Sequence, residues 1–255
     1  MKRFMTAAAL ATTLALGGCA SLSQKDPFES YNRAMLNFND AIDEAALKPA
    51  ARAYQLLPGF VQTGVGNFFG NLGDAWTGVN NLLQGKVADG VSDILRVSLN
   101  STFGLLGLLD ISSEAGIPKH REDFGQTLGV WGVPAGPFVV LPLLGPSTLR
   151  DTAVYPIDIA ADPLQHINSG LWVTSGNILR VIDQRAALLD ATNLLEEAAL
   201  DRYAFIRDSY LQRRQSNVLD GGSIRSSYQN EPDPQEDARP KSESSREAPP
   251  GAEPR

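Results

Sequence analysis

The run GQTLGVWGVPAGPFVVLPLLGPSTL, from Gly125 to Leu149, restricts the architecture of this chain more than any other. It contains no charged residue, and four prolines and several glycines interrupt it. Proline lacks a backbone N–H, so it forbids a continuous helix and disfavours a long strand. Such an apolar run would promote aggregation if water surrounded it. We therefore predict that it is buried in protein or in lipid, with its backbone bonded internally or facing a water-lined cavity.

The segments on either side of this run show the apolar spacing of helices. Asp26-Pro27-Phe28-Glu29 predicts a helix start, and an apolar stripe continues to Ile42. Lys48-Pro49 is predicted to interrupt that helix, and the glycines and the proline within 53–73 argue against one straight span there. Further helices are predicted at 86–100, 171–189 and 194–214. No segment alternates with period two for long enough to indicate a porin-like barrel, so we predict an all-α fold.

The N-terminus has the features of a bacterial lipoprotein signal. Lys2 and Arg3 precede an apolar run, and Leu16-Gly17-Gly18-Cys19 has the form of a lipobox. Cys19 is the only cysteine of the chain. We predict that the chain is cut before Cys19, whose thiol and new amine then carry fatty acyl chains such as palmitate as a lipid anchor. An ordinary signal peptide with an incidental cysteine is the alternative.

Composition and missing motifs exclude several functions. The 255-residue chain has a formal charge of −7, whereas nucleic-acid binders need clustered Lys and Arg, so we expect no nucleic-acid partner. His120 lies in what we predict to be an exposed charged turn, and His166 follows Asp162, a capping candidate. No catalytic motif is recognisable, and a lipidated cysteine cannot ligate a metal. We predict no enzyme, no cofactor and no metal; a lipid-modifying enzyme that uses His120 is the remaining alternative.

Several motifs in a fixed order resemble the MlaA (VacJ) family of outer-membrane lipoproteins. They are Asp26-Pro27-Phe28-Glu29, Tyr31-Asn32-Arg33, Asn37-Phe38-Asn39, Asn67-Phe68-Phe69-Gly70-Asn71-Leu72, Leu83-Gln84-Gly85, Asn100-Ser101-Thr102-Phe103-Gly104, Phe124-Gly125-Gln126-Thr127-Leu128-Gly129, Gly136-Pro137-Phe138, Thr148-Leu149-Arg150-Asp151 and Arg185-Ala186-Ala187-Leu188-Leu189-Asp190. The resemblance extends from Cys19 to about Gly222.

The resemblance implies a ring of amphipathic helices in the inner leaflet of the outer membrane, around a central amphipathic channel. Members of this family remove phospholipid that has strayed into the outer leaflet, and they break no covalent bond. They pass it to a periplasmic lipid-binding chaperone, MlaC, and they sit beside trimeric porins. Ala20 follows Cys19 where inner-membrane lipoproteins usually have Asp, which implies a lipid anchor in the outer membrane on the periplasmic side. A structural outer-membrane lipoprotein associated with porins is the alternative.

The resemblance and the composition together divide the chain into four segments. Residues 1–18 are predicted to be the signal peptide, 19–25 a lipidated tether, and 26–215 the helical channel domain. Residues 216–255 are predicted to be a disordered, acidic, Pro-rich tail, because they contain few apolar side chains to bury.

Two segments are candidate functional sites. Asn37 and Phe38 place an amide beside an aromatic ring on the first helix, where we predict a gate of the channel; ordinary packing is the alternative. A second set is predicted to form a hinge or a wall of the channel, because glycine permits bending and proline limits where it occurs. This set is Gly129, Gly132, Gly136, Pro137, Pro142 and Gly145. A static hairpin is the alternative for the second set.

Overall fold

The computed structural model describes residues 26–198 and 201–220. The predicted signal peptide, Cys19, the tether and all of the predicted tail beyond residue 220 therefore lie outside the described residues. The elements in chain order are α1 (Glu29–Ile42), a π-helical turn (Asp43–Leu47), α2 (Lys48–Tyr54), α3 (Gly59–Leu83), α4 (Val87–Thr102), α5 (Ile111–Glu114), α6 (Phe124–Val130), β1 (Phe138–Leu141), β2 (Gly145–Thr148), α7 (Leu149–Ala161), a 3₁₀ turn (Pro163–His166), α8 (Gly170–Ala198) and α9 (Arg202–Val218). The prediction of a mainly helical fold is confirmed.

The first helix begins where the sequence predicts, but Lys48-Pro49 does not interrupt it. The Phe28 N–H donates to Asp26 Oδ1 over 3.2 Å, which satisfies one free donor at the start of α1. The chain then passes through the π-helical turn directly into α2, with Pro49 in its first turn. Proline is tolerated there because its missing N–H is not needed, so the predicted break was wrong.

The glycine-rich part of the chain also forms one continuous helix, α3, of 25 residues. The prediction that residues 53–73 form no single span is confirmed, because α2 ends at Tyr54 and α3 begins only at Gly59. The glycines beyond Pro58 do not interrupt α3, because neighbouring elements pack closely on them. A Cβ on Gly78 would lie 3.2 Å from the Gly90 carbonyl oxygen of α4, and one on Gly66 would lie 3.5 Å from Asp183 Oδ2 of α8. Within the described ranges, neither α3 nor any other helix is both long and apolar enough to cross a membrane.

The charge-free run contains a short β-hairpin that the all-helical prediction missed. β1 and β2 pair antiparallel from Phe138 opposite Thr148 to Leu141 opposite Gly145. Phe138 and Val140 point into a core cluster with Leu36 of α1 and Tyr203 of α9. Each strand has four residues, which is too short for the period-two pattern to be recognised.

The last helix differs from its predicted range. It begins at Arg202, where the Asp201 side chain accepts the Ala204 N–H over 3.2 Å and caps the first turn. It ends at Val218, so its last turn includes the first three residues of the predicted tail.

Candidate functional site

Among the described residues, polar side chains fill much of the interior and large apolar side chains cover the exterior. The largest fully buried side chain is that of Arg96, with Asn32, Asn80, Asn81 and Asp93 close behind. The exposed apolar residues with the greatest exposure are Leu56, Phe60, Phe103, Leu105, Leu106, Leu143, Leu171 and Trp172. Water-soluble domains show the opposite pattern, and large exposed apolar surface marks contact with a membrane or a partner.

Three neighbouring cavities share lining residues, and we call them the cavity row. The central cavity has a volume of about 460 Å³ and lies between α3, α6, α7 and α9. A second cavity, of about 500 Å³, shares Arg121, Gln126 and Arg213 with it. A third, of about 260 Å³, shares Tyr210 and Arg214 with it and reaches the hairpin. The volumes of the central and second cavities are in the range of small-molecule sites.

The walls of the cavity row are amphipathic. The central cavity is lined by the apolar side chains of Leu72 and Trp76, by charged residues that precede α6 and by arginines of α9. In the third cavity Leu141, Leu144 and Tyr155 supply an apolar wall. A molecule with a charged head and apolar tails would find both kinds of surface here.

Arg214 of α9 organises the charged wall. Its guanidinium donates to both oxygens of Asp123 over 2.6 Å, and its Nε donates to Asp151 Oδ2 over 2.8 Å. Burial alone would raise the pKa of Asp123, but the Arg214 guanidinium and the Gln126 N–H outweigh it and lower that pKa. Gly125 permits this arrangement, because a Cβ there would lie 2.4 Å from Asp151 Oδ1 and 2.6 Å from Arg214 Nη2.

A second carboxylate, Asp158 of α7, ties α3 and α6 together beside the central cavity. Asp158 Oδ1 accepts the indole N–H of Trp76 over 2.7 Å and the backbone N–H of Phe124 over 2.9 Å. Burial raises the pKa of Asp158, and these two hydrogen bonds oppose that rise. The aromatic wall of the cavity is thus held by a carboxylate from another helix.

Two asparagines of α1 form hydrogen bonds with backbone groups of β1 and of the turn that follows it. Asn32 Oδ1 accepts the Val140 N–H over 2.8 Å, while its Nδ2 donates to the Phe138 carbonyl over 3.1 Å. Asn39 repeats the pattern one step further, accepting the Leu143 N–H over 2.7 Å and donating to the Leu141 carbonyl over 2.9 Å. We call these two residues the asparagine clamp.

The spacing of the clamp matches the spacing of the strand. Seven helical residues rise about 10.5 Å, and the step of three residues from one bonded pair to the next along the hairpin covers about 10 Å. The Asn32 amide therefore pairs with the edge of β1, and the Asn39 amide pairs with the end of β1 and the turn that follows it.

The predicted gate residues lie next to the clamp but outside the cavity row. Asn37 is exposed and Phe38 is 45% exposed on α1, and the residues that line the three cavities do not include either of them. Asn39, which the gate prediction did not include, is the amide of that motif that contacts the hairpin. The role of Asn37 and Phe38 as a gate stays a prediction.

The predicted hinge residues occupy three different settings. Gly129 lies inside α6, where a Cβ would come within 2.6 Å of Arg150 Nη1 and 2.8 Å of Val218 Cγ2, so it provides close packing. Gly132 and Gly136 have positive φ values of 92° and 71° in the connection before β1, and Pro137 immediately follows them. Pro142 and Gly145 delimit the turn of the hairpin, where Gly145 has φ 82°. Their role as a hinge or a channel wall stays a prediction.

His120 does not lie in a solvated turn. Its Nδ1 is 2.9 Å from Oδ1 of Asp93, a fully buried carboxylate of α4, and its neighbour Lys119 pairs with Asp74 over 3.1 Å. The expected solvated turn is thus wrong for His120, which is half-buried against Asp93, whereas its neighbours Lys119 and Arg121 are exposed as expected. Asp162 does cap the 3₁₀ turn before His166, through the Leu164 N–H at 2.9 Å.

Sequence reasoning missed the buried ionic cluster around Arg96. This guanidinium donates to Asp110 over 2.9 and 3.0 Å, and its Nε lies 3.5 Å from Asp74 Oδ2. Burial would raise the pKa of Asp110, but hydrogen bonds from Ser113 and Asn100, together with Arg96, lower it to about 2. The signal was present as a polar stripe at helical spacing on α3, formed by Asn67, Asn71, Asp74, Gly78 and Asn81.

Comparison with known proteins follows the same motifs. The family model described as "MlaA lipoprotein" matches residues 24–217. The chain belongs to the MlaA family. The chain is 36% identical to the intermembrane phospholipid transport system lipoprotein MlaA of Escherichia coli K12, with 88% of this chain and 92% of that protein covered. It is 32% identical to the protein of the same name from Haemophilus influenzae, with 89% and 95% covered.

A solved structure of the family shares the fold. It superposes with a TM-score of 0.67 at 33% identity, and it covers 76% of this chain and 98% of that chain. That work is described as the structural basis for maintenance of bacterial outer membrane lipid asymmetry. The MlaA-family fold therefore accounts for the helical domain described here.

Proposed function

We propose that this protein is a non-enzymatic phospholipid-transport lipoprotein that maintains the lipid asymmetry of the outer membrane. It would take misplaced phospholipid from the outer leaflet through the cavity row and release it to a periplasmic lipid-binding chaperone of the MlaC kind. The observation that carries this proposal is the combination of a polar, cavity-bearing interior with an apolar exterior. Relatives named as lipoproteins of an intermembrane phospholipid transport system support it.

The proposed setting is the periplasmic side of the outer membrane, next to a trimeric porin. The lipid anchor on Cys19 would hold the domain there, and the apolar exterior would lie in the acyl region of the inner leaflet. Chemistry is not needed for this function, because the lipid changes place without any covalent bond being broken.

The first experiment measures phospholipid in the surface leaflet of a strain that lacks this gene. Deletion is expected to raise surface phospholipid, and restoring the wild-type copy is expected to reverse the rise. An unchanged surface leaflet, with the wild-type protein shown to be expressed, would refute the transport role and favour a structural protein associated with porins. Loss of phospholipase activity in His120→Ala would instead favour a lipid-modifying enzyme.

A further inference from the structure

Two arginines at the junction of the central and second cavities differ from the other cations around them. Arg121 precedes α6 and Arg213 belongs to α9, and both line both cavities. No ion pair or side-chain hydrogen bond joins either guanidinium to another residue within 26–198 or 201–220. The other basic side chains that line these cavities are paired: Lys119 with Asp74, His120 with Asp93, and Arg214 with Asp123 and Asp151.

The free guanidiniums are unexpected in an acidic chain. The sequence has 29 carboxylate residues against 22 Lys and Arg. The two carboxylates that line the second cavity, Glu122 and Asp220, already form ion pairs with Lys86. Four carboxylates also line the central cavity, but within the described residues none of them pairs with Arg121 or Arg213, so these two guanidiniums stay unpaired where the two cavities meet.

A buried polar atom in the same place also lacks a partner. Gln126 is 3% exposed and lines both cavities, and its Nε2 donates to the Arg121 carbonyl and to Asp123 Oδ2. Its Oε1 is buried without a hydrogen bond. A buried polar atom left unpaired is costly, so it indicates a donor that the protein itself does not supply.

We propose that Arg121 and Arg213 bind the phosphodiester of a glycerophospholipid, and that Gln126 Oε1 accepts a hydrogen bond from its head group. Guanidinium groups suit this role because their planar fork matches phosphate oxygens. The apolar wall of Leu72 and Trp76 begins beside this opening and would receive the acyl chains. This assignment rests on the proposed transport function and adds which part of the lipid is recognised. Selection would depend on the phosphodiester, so head groups that each carry an N–H or O–H donor for Gln126 Oε1 would be accepted alike.

The test titrates short-chain lipids into the purified full-length lipoprotein in a non-ionic detergent. The probes are dihexanoyl phosphatidylethanolamine, dihexanoyl phosphatidylglycerol, dihexanoylglycerol, which has no phosphate, and inorganic phosphate. The wild type is expected to bind both phospholipids with similar affinity. The double variant Arg121→Gln/Arg213→Gln is expected to bind both at least tenfold more weakly, while its binding of dihexanoylglycerol is unchanged.

A matched control variant and the possible outcomes distinguish failure of the arginine assignment from failure of the proposed transport function. Arg52→Gln changes another exposed arginine, on α2, that lines none of the three cavities, and it should bind phospholipid like the wild type. Phospholipid binding by the double variant that equals the wild type would overturn the arginine assignment alone. Inorganic phosphate that binds the wild type as tightly as the phospholipids would show a general anion site and overturn the lipid assignment. A wild type that binds no phospholipid would overturn the transport proposal as well.

Discussion

The asparagine clamp allows a prediction that separates buried from exposed polar contacts on one helix. Asn32 is fully buried, and its two backbone partners, the Val140 N–H and the Phe138 carbonyl, belong to buried residues of β1, while its Nδ2 also donates to Tyr203 Oη and Asp26 Oδ1. Asn32→Ala removes the amide and leaves two buried backbone groups unpaired. Each such group costs about 1–3 kcal/mol, so we expect a loss of about 2–6 kcal/mol of the free energy of unfolding.

Two matched variants on the same helix calibrate that value. Asn39→Ala breaks the same kind of contact, but its partner Leu143 is 67% exposed, so water replaces part of the amide. We expect a loss of about 1–2 kcal/mol. Asn37→Ala changes an exposed amide two residues away and should stay within about 0.5 kcal/mol of the wild type.

The assay is urea unfolding of the detergent-solubilised protein, followed through the fluorescence of Trp76 and Trp131. Asn32→Asp is a further check, because its carboxylate still accepts the Val140 N–H but no longer donates to the Phe138 carbonyl. It should be no more stable than Asn32→Ala, because its buried charge would face the Phe138 carbonyl oxygen and the Asp26 carboxylate. An Asn32→Ala protein as stable as Asn37→Ala would refute the reasoning, since the hairpin edge would then not depend on the clamp.

Three further predictions test other parts of the fold. Gly125→Ala should destabilise the protein by about 1–3 kcal/mol, because its Cβ would overlap Asp151 and Arg214. The control Gly73→Ala, whose Cβ would have nothing within 4 Å, should not destabilise it. Thermal unfolding of both variants measures the difference. Deleting Asn37 and Phe38 should turn the following residues by about 200° around the helix and detach Asn39 from the hairpin, which should alter surface phospholipid in cells. The double variant Asn37→Ala/Phe38→Ala keeps the helical register, so it should alter surface phospholipid only if these two side chains themselves form the gate. Normal surface phospholipid in a well-expressed deletion variant would contradict both the gate and the detachment of Asn39. The pKa of Asp110 is lowered to about 2 in the fold, so its contribution to stability should be complete above about pH 4 and lost as the pH falls towards 2. The free energy of unfolding of Asp110→Asn, measured against pH, should lack that acid dependence. If the wild type and the variant depend on pH with the same slope, the Asp110 contacts do not contribute as argued.

The helices with long apolar stripes were predictable because their pattern is local. The start of α1 follows from Asp26, whose carboxylate accepts the Phe28 N–H, and the run of α4 follows from the 3.6-residue period. The continuity of α3 was not predictable in this way. Its glycines disfavour a helix on their own, and only the close approach of α4 and α8 explains why small residues are placed there.

The hairpin and the site needed long-range information. The asparagine clamp joins residues more than a hundred positions apart, so no window of sequence contains both partners. The sequence did direct attention to the Asn37-Phe38-Asn39 motif and to the charge-free run, and the structure brings these two segments into contact. The sequence could not show that Asn39 makes this contact, because tertiary packing decides which amide of the motif faces the hairpin.

The polar interior has a physical reason if the exterior lies in lipid, as proposed. Lipid tails are as apolar as Leu, so burying apolar side chains gives little drive for helices to associate there. Hydrogen bonds and ion pairs must then supply the specificity, and the clamp at Asn32 and the cluster around Arg96 are placed between elements where they do so. A water-soluble fold with these exposed residues would aggregate. Around the cavity row, Arg214, Asp123 and Asp158 likewise join helices through ion pairs and hydrogen bonds. These residues both hold the fold together and line the proposed path of a charged head group.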